Sequence, residues 1–166
     1  MSSLEEHLLV RKIDMGTVID HIPPWKAENV LRLLELDKIK QSECSLIVLH
    51  NVPSRKYCRK DMIKIYRHYI SHEEADIICL VYPTITVNYI RDWKVEKYKP
   101  KIPEKIIGRI RCPEPTCISN SPREPIKSRF KVVEVLRAIQ CEYCDTLVEF
   151  ERIADLVIRK EGVLNG

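Results

Sequence analysis

The alternation of strand-like and helix-like segments predicts an α+β chain, a β-α-β-β-α-β unit followed by a small all-β unit. Three observations carry that expectation. Two stretches repeat apolar residues at helical spacing, and four others are β-rich or alternate with period two. The last third of the chain holds four cysteines in two close pairs.

The elements follow in order. Leu8 to Ile13 reads as a strand, with a turn at Gly16 and a short extended piece, Thr17 to Ile19, closed by Asp20-His21. Pro23-Pro24 opens a helix, because proline suits the first helical turn. Ala27, Val30, Leu31 and Leu34 give it one apolar face. Ser45 to His50 is β-rich, and Asn51-Val52-Pro53-Ser54 breaks it. Lys60 to Tyr66 is the next strand. Met62, Lys64 and Tyr66 share a face with Lys60, and Ile63 and Ile65 lie opposite. Ser71 and Glu74 form a capping box, followed by a stripe of Ala75, Ile78, Cys79 and Tyr82. Pro83 stops that helix. Thr84 to Ile90 alternates, with Ile85, Val87 and Tyr89 on one side. This order is the ferredoxin-like α/β sandwich, two helices on one face of an antiparallel sheet. The other face must be covered or must meet a partner.

Lys97 to Pro103 is charged and proline-containing and reads as a linker. It divides the chain into residues 1–100 and 101–166. Beyond it come Ile106 to Cys112, a proline-rich loop from Pro113 to Pro125, a strand from Phe130 to Gln140, a turn at Cys141 to Cys144, a strand from Leu147 to Phe150, and a short helix from Ile153 to Ile158.

The chain has 166 residues, 45% hydrophobic and 31% charged, which is the composition of a soluble globular protein. Its net charge is only +4, so it does not read as a polyelectrolyte binder. No apolar run is long enough to span a bilayer. Met1 to Asp14 carries early charges and no apolar core, so it is no signal peptide and a cytoplasmic location is expected.

Seven cysteines in a reducing compartment are not a disulfide framework. Cys44, Cys58 and Cys79 lie in or beside apolar stretches and read as packed thiols. The other four, Cys112, Cys117, Cys141 and Cys144, are spaced C-x4-C, then 23 residues, then C-x2-C. Two short chelate loops of this kind bring four thiolates to one Zn2+ at about 2.3 Å. A site closed by four thiolates leaves no position for substrate, so the zinc is structural and the unit zinc-ribbon-like. The segment is too short for a large core, so metal binding is expected to supply much of its folding free energy. Its knuckle residues include Glu114, Thr116, Glu142 and Tyr143. Two glutamates there would repel phosphate, which favours a protein partner over nucleic acid.

In the first half, Asp20 and His21 sit between a strand and a helix, Lys60 and Lys64 share a strand face, Asn88 and Ile90 share another, and Lys97 follows. A lysine pair can hold phosphate as point charges. There is no glycine-rich phosphate loop. Spacing alone favours a solvated face for the lysines and a surface or capping role for His21. No nucleophile or acid–base pair is assembled.

Gly16-Thr17-Val18-Ile19-Asp20-His21-Ile22-Pro23 resembles the N-terminal motif of the aspartate carbamoyltransferase regulatory chains. So do Arg59-Lys60-Asp61-Met62-Ile63-Lys64-Ile65 and Thr86-Val87-Asn88 followed by Ile90. Cys112-Pro113, Cys117-Ile118-Ser119 and Cys141-Glu142-Tyr143-Cys144 are similar to that family's zinc domain. The resemblance covers about residues 8–150. It implies a non-catalytic regulatory chain with an N-terminal domain that binds nucleoside triphosphates and forms a homodimer. ATP typically activates, CTP inhibits and UTP acts with CTP, while the role of Mg2+ is open. It further implies a zinc domain that docks on catalytic chains and links catalytic trimers, giving a dodecamer of six catalytic and six regulatory chains in the control of pyrimidine biosynthesis. Neither nucleic acid nor membrane is an expected partner.

By position, Asp20, Lys60, Lys64 and Asn88 match the family's nucleotide site. Val10, Ile13, His21, Ile90 and Val95 match residues lining it, and Lys97 matches its late lysine, with Lys99 as the alternative. The chain departs from the family pattern at Arg11, Lys12 and Trp93 beside the pocket and at Glu142 in the second knuckle. These leave the base preference open and imply a re-paired partner contact. The extension after Phe150 is longer than usual and is read as helical. The competing reading is a zinc-ribbon protein that binds nucleic acid.

Overall fold

The computed structural model describes residues 11–35, 39–40 and 43–159. Strands β1 (Met15–Ile22), β2 (Ser45–Ser54), β3 (Cys58–Tyr66), β4 (Thr86–Arg91) and β5 (Lys94–Tyr98) form an antiparallel sheet in the order β2-β3-β1-β4-β5. Helices α1 (Ala27–Leu33) and α2 (His72–Val81) cover one face. The first four strands and two helices are the expected sandwich, and β5 is an addition at its edge. A second sheet, β6-β7-β8-β9, comprises Lys105–Ile107, Arg129–Val133, Ala138–Cys141 and Leu147–Glu149. Among the described residues no helix is long and apolar enough to cross a membrane.

Several boundaries differ from the sequence expectation, each for a local reason. Leu8 to Val10 lie outside the described residues, and Arg11 to Ile13 are not in a strand. β1 starts later and runs straight through Gly16. Gly16 has φ +130°, and a Cβ there would lie 2.1 Å from the Ile65 carbonyl oxygen, so it serves a close strand approach and not a turn. β2 continues past His50 to Ser54, because a bulge between Leu49 and Val52, with Asn51 at φ 54°, absorbs the irregular residues. Pro53 is tolerated because β2 is an edge strand.

β5 was not expected. Asp92 and Trp93, at φ 50° and 66°, close a tight hairpin without the Asn-Gly pair that usually signals one. The supposed linker from Lys97 to Pro103 is therefore partly strand. It is also pinned, with Pro100 buried and the Lys101 backbone N–H donating to Asp76 Oδ1 at 2.9 Å. The supposed strand from Phe130 to Gln140 is two strands, β7 and β8, joined by a 3-10 turn at Glu134–Leu136 with Arg137 at φ 47°. The supposed C-terminal helix is a 3-10 segment, Phe150–Leu156.

α2 has the expected capping box. Glu74 N donates to Ser71 Oγ at 3.1 Å and Ser71 N donates to Glu74 Oε2 at 2.8 Å. The other carboxylate oxygen of Glu74 accepts from Glu35 N at 3.0 Å, tying α2 to the chain just after α1. The two sheets share one hydrophobic core. Ile19, Ile63, Ile65 and Val87 from the first sheet join Val30 and Ile78 from the helices, and these join Phe130, Ile139, Val148 and Ile153 from the second half. The small C-terminal unit therefore does not rely on metal alone.

α1 has no side-chain cap of its own. Asp61, fully buried on β3, supplies one: its Oδ2 accepts from Ala27 N at 2.9 Å and lies 2.8 Å from His50 Nδ1, and its Oδ1 accepts from Asn51 N at 2.7 Å. Burial alone would raise this carboxyl, but bonds from Asn51, Ala27, Trp25 and His50 outweigh it and hold it below its ordinary value. A lowered folded-state value means the stabilisation is complete above about pH 4 and is lost as pH falls further. Asp61→Asn is expected to cost about 2–3 kcal/mol and to weaken that acid dependence. Urea unfolding from about pH 3 to 7 measures both.

Candidate functional site

The helix-free face of the first sheet gathers most of the sequence-predicted polar set. Side chains alternate across a strand, so register decides which residues share a face. Val18 on β1 pairs with Lys64 on one side and Asn88 on the other. Asn88 in turn pairs with Lys97, and Ile90 with Val95. Asp20 and Lys60 extend the same face, where Lys60 Nζ lies 2.9 Å from Asp20 Oδ1. Val18, Met62 and Ile90 form a small apolar strip there, with Ile13 packed against it.

The remaining candidates fall around that face. Val10 lies outside the described residues. Arg11 and Lys12 are exposed just ahead of β1, and the Arg11 carbonyl accepts a hydrogen bond from Lys64 Nζ. Trp93 is exposed at the β4–β5 turn, with its N–H bonded to the Asp14 carbonyl. Lys99 Nζ donates to the carbonyls of Pro83 and Ile85, so it is held by backbone, whereas Lys97 stands opposite Asn88.

Lys64 is 4% exposed, and burial lowers its pKa while Asp20 pulls the other way. Asn88 Oδ1 is buried with no hydrogen-bond partner among the described residues, an unmet acceptor in the middle of the face. Beside it His21, Arg55, Lys56, Cys58 and Lys60 line a cleft of about 700 Å³. Burial holds the His21 imidazole below its ordinary value; Asp20 opposes this, and Lys60, Lys56 and Lys99 add to it. His21 Nδ1 is also 2.9 Å from Thr86 Oγ1. Such a surface, with one carboxylate among several cations, suits a polyphosphate. Arg55 and Lys56 were missed from sequence. The run Arg55-Lys56 shortly before Arg59-Lys60 was the available signal.

The second candidate is the thiol cluster. Sγ atoms of Cys112, Cys117, Cys141 and Cys144 all lie within 4.8 Å of one another. Cys112 and Cys144 are 3.5 Å apart, and Cys117 and Cys141 are 3.7 Å apart. Four sulfurs about 2.3 Å from one ion in a tetrahedron would sit about 3.8 Å apart, so the donor set fits. Burial, reinforced by neighbouring thiols, pushes the Cys112 and Cys141 thiols up. Burial would also raise Cys144, but hydrogen bonds from Thr146, Cys112 and Cys117 bring it down to about 7. Clustered buried thiols resist losing all their protons unless a cation offsets the charge, which is what a divalent metal supplies.

The knuckle residues are only partly as expected. Glu142 is not a free acidic group. Its carboxylate lies 3.2 Å from Lys105 and 3.1 Å from Arg129, so its charge is matched within the chain. The expected repulsion of phosphate therefore rests on Glu114 alone. Glu114 Oε1 accepts from Thr116 Oγ1 at 2.8 Å, and Tyr143 Oη donates to the Lys127 carbonyl at 3.0 Å.

Comparison with known proteins bears on both halves of the chain. Residues 8–101 match the family model of the aspartate carbamoyltransferase regulatory chain, allosteric domain. Residues 104–154 match that of the same chain's metal binding domain. The chain is 42% identical to the aspartate carbamoyltransferase regulatory chain of Methanopyrus kandleri, over 90% of this chain and 96% of the relative. It is 43% identical to that of Thermofilum pendens, over 96% and 100%. It is 44% identical to that of Thermococcus gammatolerans, over 88% and 95%.

Asn120 braces the first thiol loop. Its Nδ2 donates to the carbonyls of Cys112, at 2.9 Å, and Glu114, at 2.8 Å. Asn120→Ala is expected to loosen that loop and weaken metal binding about 10–100-fold, as loss of supporting hydrogen bonds around metal ligands does. Competition against a chromogenic chelator gives the affinity.

Proposed function

The chain belongs to the aspartate carbamoyltransferase regulatory chain family, and from that premise we propose that residues 1–100 bind nucleoside triphosphates and residues 101–166 carry a structural zinc. It is a regulatory chain and not a catalytic one. It acts in the cytoplasm on the catalytic chains of that enzyme, in the control of pyrimidine biosynthesis.

The observation that carries the nucleotide reading is the register across β3, β1, β4 and β5. It gathers Asp20, Lys60, Lys64, Asn88 and Lys97 on one helix-free face. The lysines take the triphosphate as point charges. Asn88, with its unmet acceptor, takes a donor of the ligand. ATP, CTP and UTP share the triphosphate, so discrimination falls to base contacts from residues such as Ile13, Ile90, Val95 and the neighbouring Arg11, Lys12 and Trp93.

Zinc is the metal favoured by four thiolates in a tetrahedron. Docking of the metal unit on catalytic trimers, through a surface that includes Glu114, Thr116, Glu142 and Tyr143, links the trimers, with the regulatory chains paired through the first sheet. A nucleotide then shifts activity by its difference in affinity for two arrangements of the complex. The shared core between sheet and metal unit supports this, since a rigid connection transmits a small displacement.

Two outcomes test the reading. Lys64→Ala is expected to weaken ATP and CTP alike, by about tenfold or more in calorimetry; an unchanged affinity refutes the site. Cys141→Ser is expected to abolish zinc in elemental analysis and to stop co-elution with catalytic trimers, since structural zinc can contribute roughly 10–16 kcal/mol to folding. Retention of nucleic acid on a filter at physiological salt would instead favour a nucleic-acid role.

A further inference from the structure

A cleft of about 600 Å³ where the first half meets the second is left unused by the two sites. Glu73 from α2 lines one wall, and Arg109, Arg111, Asn120, Lys127 and Ser128 line the rest. The backbone builds it firmly. Arg109 to Arg111 runs antiparallel to the C-terminal segment, bridged at Ile110 and Val157, with Arg111 N donating to the Leu156 carbonyl and Ile158 N to the Arg109 carbonyl, both at 2.8 Å. Ile110 is fully buried in the shared core, so the two arginines on either side of it turn the opposite way, into the cleft. Gly108 N donates to the Ser128 carbonyl at 2.8 Å. The Lys127 side chain crosses close over Gly108, where a Cβ would meet its Cδ at 3.4 Å.

The charges do not balance. Arg109 is matched by Glu35, with which it forms an ion pair, and by Glu73, 3.5 Å from its Nε. Glu73, the one carboxylate on the cleft wall, is thus engaged. Among the described residues no carboxylate pairs with Arg111 or Lys127. A second, independent observation points to a ligand. Ser128 is 6% exposed, and its Oγ is buried with no hydrogen-bond partner among the described residues. A buried hydroxyl left unbonded is costly, and native structures rarely keep one without a use.

We propose that this cleft is an anion site separate from the sheet face, which takes a small polyvalent oxyanion of the phosphate class through Arg111, Lys127 and the Ser128 hydroxyl. Its position gives it a consequence. The bound anion ties the Arg109–Arg111 segment to the start of β7 at the joint between the two halves, so occupancy stiffens the connection. The anion has two sources, free phosphate or pyrophosphate and the polyphosphate tail of a nucleotide.

Calorimetry of the full chain with inorganic phosphate, pyrophosphate and ATP, at ionic strength fixed with sodium chloride, tests it. Saturable binding of at least one of these is expected to weaken by about tenfold or more in both Arg111→Ala and Ser128→Ala, the loss expected for one charge-assisted contact. Lys64→Ala, which weakens the nucleotide at the sheet face, leaves the Arg111-dependent binding in place. Binding confined to ATP that follows Arg111 assigns the site to a nucleotide tail, and binding of phosphate alone assigns it to the free ion. The proposal falls if no saturable binding is seen, or if all the binding seen follows Lys64 and none follows Arg111. It also falls if Arg111→Ala leaves phosphate binding intact and only impairs association with catalytic trimers. Unchanged melting temperatures in both variants separate lost binding from lost folding.

Discussion

The position of β1 between β3 and β4 is the constraint on which the rest depends. Pairing of Val18 with both Lys64 and Asn88 turns the polar residues of three strands to one side, while Ile19, Ile63, Ile65 and Val87 go to the other. A slip of one residue would send Lys64 into the apolar layer under the helices and bring isoleucines to the surface. The buried set is therefore what fixes the polar set. Gly16 makes the arrangement possible by letting β1 and β3 approach where a side chain would strike the Ile65 carbonyl.

The same apolar layer unites the two halves. α1 and α2 pack on the 3-10 segment Phe150–Leu156, so one core runs from the first sheet to the second. Polar contacts reinforce the joint: Arg109 with Glu35 and Glu73, and Arg32 with Asp155. Exposed ion pairs contribute little, so the buried surface carries most of the stability and the charged pairs set the geometry. A regulatory chain needs this property, since a joint that flexed freely would dissipate any displacement made at one end.

The thiol cluster works on different physics. Its elements are short, with β6 and β9 of three residues each, and such strands are weak by themselves. Two turns gather four sulfurs, and Asn120 and Thr146 hold those turns by hydrogen bonds. The metal then supplies fixed geometry where chain length cannot, while the shared core supplies the burial.

The sequence by itself determined the pieces whose signals are local. The capping box at Ser71 and Glu74, the period-two face of β3, the apolar faces of the two helices and the cysteine spacing all depend on neighbours a few residues away, and each was legible. The family resemblance was legible for the same reason, since its motifs are short and contiguous. What only tertiary structure decided depends on partners far away in the chain. Gly16 looked like a turn because the carbonyl it makes room for belongs to Ile65. β5 was hidden because its hairpin forces Asp92 and Trp93 into left-handed backbone against their preference. Glu142 looked like a free acid because its cations, Lys105 and Arg129, come from two other strands. The junction cleft was invisible, because Arg111, Lys127 and Ser128 meet only when the two sheets bury one core between them.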